Sequence, residues 1–157
     1  MLEARKVSVW KNRYDIIADG RRLAGWDVSA WRAGGTIELD GRRYAVRGNM
    51  WGNKYGMVGE DGTPIASADR VGRKRWTVEA DSRTYEFQRA SLWRQEHELH
   101  CEGRRVGSIK RSHFWRPGAV AELPGLPLPV QAFVLAVVLT MWEQSAAAAG
   151  GAAGGGG

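Results

Sequence analysis

The sequence predicts a mainly β protein: a closed antiparallel barrel of about twelve strands around a buried hydrophobic C-terminal helix. Three observations carry this prediction. Turn dipeptides recur at steps of about 20 residues, at Asp19-Gly20, Asp40-Gly41, Asp61-Gly62, Asp81-Ser82 and Glu102-Gly103. Runs of alternating polarity flank them, as in Trp76, Val78 and Ala80 or Tyr85 and Phe87. Beyond Pro124 the chain changes character, and from Val130 to Trp142 only Gln131 and Thr140 are polar.

Asp-Gly between alternating runs signals a hairpin, because glycine accepts the positive φ that tight hairpin turns require. Reading outward from the turns gives strands over about 6–11, 13–18, 21–28, 35–39, 42–48, 54–60, 63–69, 75–80, 83–89, 93–101, 104–111 and 118–123. Nothing before Pro124 has a helical period. Consecutive hairpins lose their exposed edges most simply by closing into a barrel. Pro124, Pro127 and Pro129 then punctuate a connector, and Pro129 suits the first turn of a helix over about 129–144. Its apolar residues cover every side, so it is buried in protein or in lipid. Roughly 15 residues reach about 22 Å, short of the ~30 Å hydrocarbon core, which favours protein. No transmembrane span is therefore expected. A barrel this wide is not filled by its own side chains, and the helix is the expected plug. Residues 1–145 are read as one domain including that helix, and 146–157, nearly all Ala and Gly, as a flexible tail.

Composition sets the outer limits. The 157 residues make one ordinary domain and exclude a multidomain enzyme. With 25% charged and 43% hydrophobic residues, neither a disordered chain nor a polytopic membrane protein fits. Lys and Arg number 23 against 17 Asp and Glu, and the net charge of +6 points towards polyanionic partners: acidic lipid, phosphorylated ligands or nucleic acid. The single Cys101 excludes an intrachain disulfide framework and a multi-cysteine metal site. The segment Met1–Val9 carries Glu3, Arg5 and Lys6 and does not read as a signal peptide. The expected location is cytoplasmic, with a peripheral place at the membrane as the variant.

Several short phrases sit on this plan: Tyr14-Asp15-Ile16-Ile17, Gly35-Thr36-Ile37 before Asp40-Gly41, Val106-Gly107-Ser108-Ile109, and Pro129-Val130-Gln131-Ala132-Phe133. Together with hairpin strands followed by an apolar helix, they make residues 6 to 144 resemble the tubby-like superfamily, which includes tubby C-terminal domains, phospholipid scramblases and LURP-one-related proteins. The chain looks most like the small single-domain LURP-one-related branch. The resemblance implies a barrel threaded by its helix, phosphoinositide binding as in tubby domains, and lipid movement as debated for scramblases. Two departures weigh against the last. No Asp-rich run beside the helix offers the six to eight oxygens that calcium takes, and no cysteine cluster offers sites for multiple acylation.

Catalytic motifs are missing. The chain has no Gly-x-Ser-x-Gly elbow, no Gly-x-Gly-x-x-Gly opening a helix and no Walker loop, so no enzyme and no cofactor is expected. His97, His100 and Cys101 invite a metal reading, but on a strand the two histidines face opposite ways and His97 and Cys101 stand about 13 Å apart. His97 is read instead as a hydrogen-bonded barrel residue and Cys101 as a small buried one. Glu96 and Glu98 share a strand face with Arg94 and His100, which reads as solvated outer surface rather than an acid–base pair. His113 receives no role.

Two rims remain. Turns two strands apart lie at the same barrel end, so Arg21, Arg22, Arg42, Arg43, Arg83, Arg104 and Arg105 gather there, beside the turn acids Asp19, Asp40, Asp81 and Glu102 that should pair with them. The opposite rim interleaves indoles with cations: Trp10 to Arg13, Trp31-Arg32, Trp51 to Lys54, Arg73-Lys74-Arg75-Trp76, Trp93-Arg94 and Trp115-Arg116. Such loops suit indoles at headgroup depth with cations on lipid phosphates, or indoles stacked on bases with cations on a nucleic-acid backbone. Trp10, Trp76 and Trp93 are expected to cap the core. The candidate ligand-binding residues are Trp31, Arg32, Trp51, Lys54, Arg73, Lys74, Trp115 and Arg116. The expected function is a non-enzymatic module for acidic phospholipid headgroups or similar phosphorylated ligands. Single-stranded nucleic-acid binding and a protein-interaction role are the alternatives.

Overall fold

A computed structural model describes residues 1–8, 10, 12–29, 33–90, 95–112 and 118–154, with side chains as far as Ala149. The tight turns are built from both of their central residues. Asp19 and Gly20 have φ of 51° and 73°, Asp40 and Gly41 50° and 73°, Asp81 and Ser82 50° and 61°, Glu102 and Gly103 50° and 77°. Two consecutive positive φ values give a turn whose twist matches the flanking strands. The loop at Asp61-Gly62 is wider: only Gly62 is at positive φ there, and the Asp61 carboxylate accepts from the Thr63 N–H at 3.0 Å and hydroxyl at 2.8 Å.

These turns and the longer loops opposite them join twelve strands: β1 (Leu2–Lys6), β2 (Arg13–Ala18), β3 (Arg21–Val28), β4 (Gly34–Leu39), β5 (Arg42–Gly48), β6 (Tyr55–Val58), β7 (Pro64–Asp69), β8 (Arg75–Ala80), β9 (Arg83–Arg89), β10 (Glu96–Cys101), β11 (Arg104–Ser112) and β12 (Gly118–Glu122). Each pairs antiparallel with its sequence neighbours, and β1 pairs with β12 to close the barrel, Leu2 opposite Ala121. The expected fold class is therefore the observed one. The first strand differs: it is Leu2–Lys6, not 6–11. Leu2 and Ala4 supply its buried face, and Val7, Ser8, Trp10 and Asn12 lie outside any strand.

The helix α1 (Leu128–Gly154) enters at the end that carries the tight turns and leaves at the loop end. Phe133 through Val138 have no exposed surface. The backbone of α1 approaches β3, β4, β7 and β12 most closely. Small inward residues allow this, namely Ala66 and Ala68 on β7 and Ala119 and Ala121 on β12. Bulk fills the other side, where Trp76 stacks on Phe87 with ring centroids 4.5 Å apart. The two polar side chains of the apolar stretch are satisfied: Thr140 donates to the Ala136 carbonyl at 2.8 Å, and Gln131 to that of Leu126 at 2.7 Å.

The helix also outruns the predicted 129–144 and continues through the Ala/Gly segment to Gly154. Alanine is the strongest helix former, so Ala146 to Ala149 extend a helix already nucleated inside the barrel. At 27 residues it spans about 40 Å. Its stretch Leu128–Ala149 is long and apolar enough to cross a membrane by length and composition. The length argument from sequence thus fails, and burial of the segment from Val130 to Leu139 is what places the helix in protein.

Candidate functional site: the loop end of the barrel

Loop 49–54, between β5 and β6, is a folded unit. The Asn49 side chain accepts from the backbone N–H groups of Asn53 and Lys54 at 3.1 and 3.2 Å, and its amide donates to Asn53 Oδ1. The Gly52 N–H returns to the Asn49 carbonyl at 3.2 Å. Gly52 has φ of 69°, and a Cβ there would lie 2.9 Å from Gln144 Oε1, so the loop rests against the emerging helix. The Val71 N–H donates to the Asn53 carbonyl at 3.0 Å, joining this loop to loop 70–74. Polar side chains thus hold the loop while its apolar tip stays out. Met50 is 92% exposed and Trp51 83%. Lys54, Arg73 and Lys74 are exposed beside them.

Four of the eight residues expected at this rim therefore have a described place: Trp51, Lys54, Arg73 and Lys74, all exposed at one end of the barrel. Trp31, Arg32, Trp115 and Arg116 lie outside the described residues, as do Trp93, Arg94 and His113. Two further residues are exposed at this rim and were not among the candidates. Met50 was not singled out, although it precedes Trp51 in a loop rich in Asn and Gly. Trp10 was expected in the core and is instead 93% exposed, because β1 ends at Lys6 and leaves it in the loop. Trp76 is buried as expected, with Nε1 donating to His97 Nδ1 at 3.1 Å.

Beneath the rim, the end of α1 is fastened to the wall. The Tyr14 hydroxyl donates to Glu143 at 2.7 Å, and burial followed by this bond pushes the Tyr14 pKa upward. The Arg111 guanidinium lies 5.7 Å over the Trp142 ring, and Trp142 is 6.2 Å from His97. His97 is 3% exposed, and burial, then the charge of Arg89, holds its pKa down at about 4. It is the hydrogen-bonded barrel residue expected of it.

Two other expectations are corrected. Cys101 is exposed at the end of β10, not buried. Two of the turn arginines find acids on strands rather than at the turns. Arg22 pairs with Asp15 at 2.9 Å, and Arg105 with both Glu96 and Glu98 at 3.3 Å. Glu96 and Glu98 do face outward, yet they are paired rather than simply solvated, with Lys110 and His100 completing the cluster. Among the described residues, no group of three His, Cys, Asp or Glu side chains could hold a metal ion. No protein family, curated protein or solved structure matches the chain.

Proposed function

We propose that this protein is a non-enzymatic binding module whose loop end engages acidic phospholipid headgroups, or phosphorylated ligands of the same chemistry. One observation carries the reading. Trp10, Met50 and Trp51 are 93%, 92% and 83% exposed at the barrel end that also displays Lys54, Arg73 and Lys74. Indoles belong at headgroup depth, while lysine and arginine near an acidic surface contribute about 1 kcal/mol each. Loop 49–54 presents Trp51 from a hydrogen-bonded frame, so little ordering entropy opposes contact. The resemblance to the tubby-like superfamily favours lipid over nucleic acid. The helix also lies inside the barrel, which leaves no recognition helix for a major groove among the described residues. The module acts peripherally, from the cytoplasmic side.

Co-sedimentation with phosphatidylserine-containing liposomes at low ionic strength, beside titration of a single-stranded oligonucleotide, tests the reading. The protein should pellet with the acidic liposomes and not with phosphatidylcholine alone. Combining Trp10→Ala, Trp51→Ala, Lys54→Ala, Arg73→Ala and Lys74→Ala should abolish pelleting without changing the melting temperature. Absence of liposome binding by the wild type overturns the reading. Oligonucleotide binding without liposome binding would make it a nucleic-acid module instead.

A further inference from the structure

At the opposite end, β9 and β10 part company. Their ladder stops at His100 opposite Glu86, although β9 stays paired with β8 to Arg83 and β10 with β11 to Cys101. The tips of the two hairpins thus diverge. Connector 123–127 closes the gap from behind, leaving a groove of about 900 Å³ against about 420 Å³ for the one beside β7 and β8. Its walls are Tyr85, Leu99, Val106, Pro124 and Leu126. Val106 is the extra residue of a β-bulge, between Gly107 opposite Leu99 and Arg105 opposite His100, and is 42% exposed.

We infer that this groove binds an uncharged, hydrophobic small molecule, at a site separate from the loop end. The volume lies within the ~300–1,000 Å³ of small-molecule sites, and the mouth of a barrel is a common place for them. The wall is preformed. Leu126 donates its N–H to the Leu123 carbonyl at 3.3 Å and receives the Gln131 amide on its own carbonyl. Beside it, Gly107 is so closely packed that a Cβ there would lie 2.3 Å from the Glu122 carbonyl oxygen of β12 and 3.1 Å from Pro124 Cδ of the connector. The charge pattern selects the ligand class. Arg83 faces the groove together with Glu86 and Glu102, so both signs are present and no single-sign field recruits an ion. A mostly apolar wall with charges of both signs at its lip suits a neutral molecule.

The exposed Cys101 thiol in the wall provides a reporter. The neutral dye N-phenyl-1-naphthylamine should show saturable fluorescence enhancement at one dye per chain. Saturating dye should slow alkylation of Cys101 by N-ethylmaleimide. Val106→Arg should weaken dye binding by about tenfold or more with unchanged melting. The inference is overturned by a lack of saturable enhancement, by unaltered binding in Val106→Arg, or by an alkylation rate indifferent to dye. Failure to bind liposomes leaves it untouched.

Discussion

His97 shows how a single residue couples protonation to the fold. It accepts from Trp76, lies beside Trp142 of the helix, and is held neutral by burial with a pKa of about 4. The unfolded chain, with an ordinary histidine pKa of about 6.5, takes up a proton first as pH falls. Stability from this group is therefore complete above about pH 6.5 and is lost progressively towards pH 4, by up to about 3 kcal/mol. His97→Gln keeps a polar group for Trp76 and cannot titrate. Urea melts from pH 7 to pH 4 should show a shallower fall for this variant than for the wild type. Glycines make the same point for packing. Gly34 has φ of 116°, and a Cβ there would sit 2.0 Å from the Val46 carbonyl oxygen, whereas Gly56 has nothing within 4 Å. Gly34→Ala should cost about 3 kcal/mol or more, and Gly56→Ala should stay within about 0.5 kcal/mol, both read by denaturant titration.

Among the elements, the hairpins were the most legible. The boundaries of β2, β3, β5, β8 and β9 coincide with those read from the turns, because Asp-Gly and its variants fix both register and hand at each tip. The misses have physical causes. The segment from Leu2 to Lys6 has weak strand propensity and is held by pairing with β12 and β2, contacts distant in sequence. The stretch after it looked more strand-like, yet Val7, Ser8 and Trp10 lie outside any strand. The helix was legible by its lack of a polar face, but its end was not, since Ala and Gly carry no pattern that separates a continued helix from a tail. The helix supports the barrel from inside. Val137 has no exposed surface, so Val137→Asp should unfold or aggregate the protein, as an unpaired buried carboxylate has no partner there. Gln144 to Ala149 are exposed, so removing residues 146–157 should leave the melting curve unchanged. A fully soluble Val137→Asp variant with wild-type melting would contradict this account of the core.

The whole molecule has two unlike ends joined by one helix. At the turn end Arg22 and Arg105 pair with acids on strands, while the loop end displays indoles, a thioether and cations around the emerging helix. Part of that contrast was readable in advance, because alternate connections of an up-and-down barrel must share an end. Trp51, Lys54, Arg73 and Lys74 followed from that rule alone. Trp10 did not, since its exposure depends on where β1 stops. Nor could sequence separate the groove beside Val106 from an ordinary strand, because a bulge and a connector form it jointly. The lipid reading is tested most directly by tryptophan fluorescence with vesicles of brominated acidic lipid. Trp26 and Trp76 have no exposed surface and Trp142 only 5%, so the barrel shields them from the quencher. The wild type should be quenched by brominated phosphatidylserine vesicles in a saturable, salt-sensitive manner, and Trp10→Ala with Trp51→Ala should measurably reduce that quenching. Equal quenching in the double variant, or none in the wild type at low salt, would contradict a lipid-facing loop end.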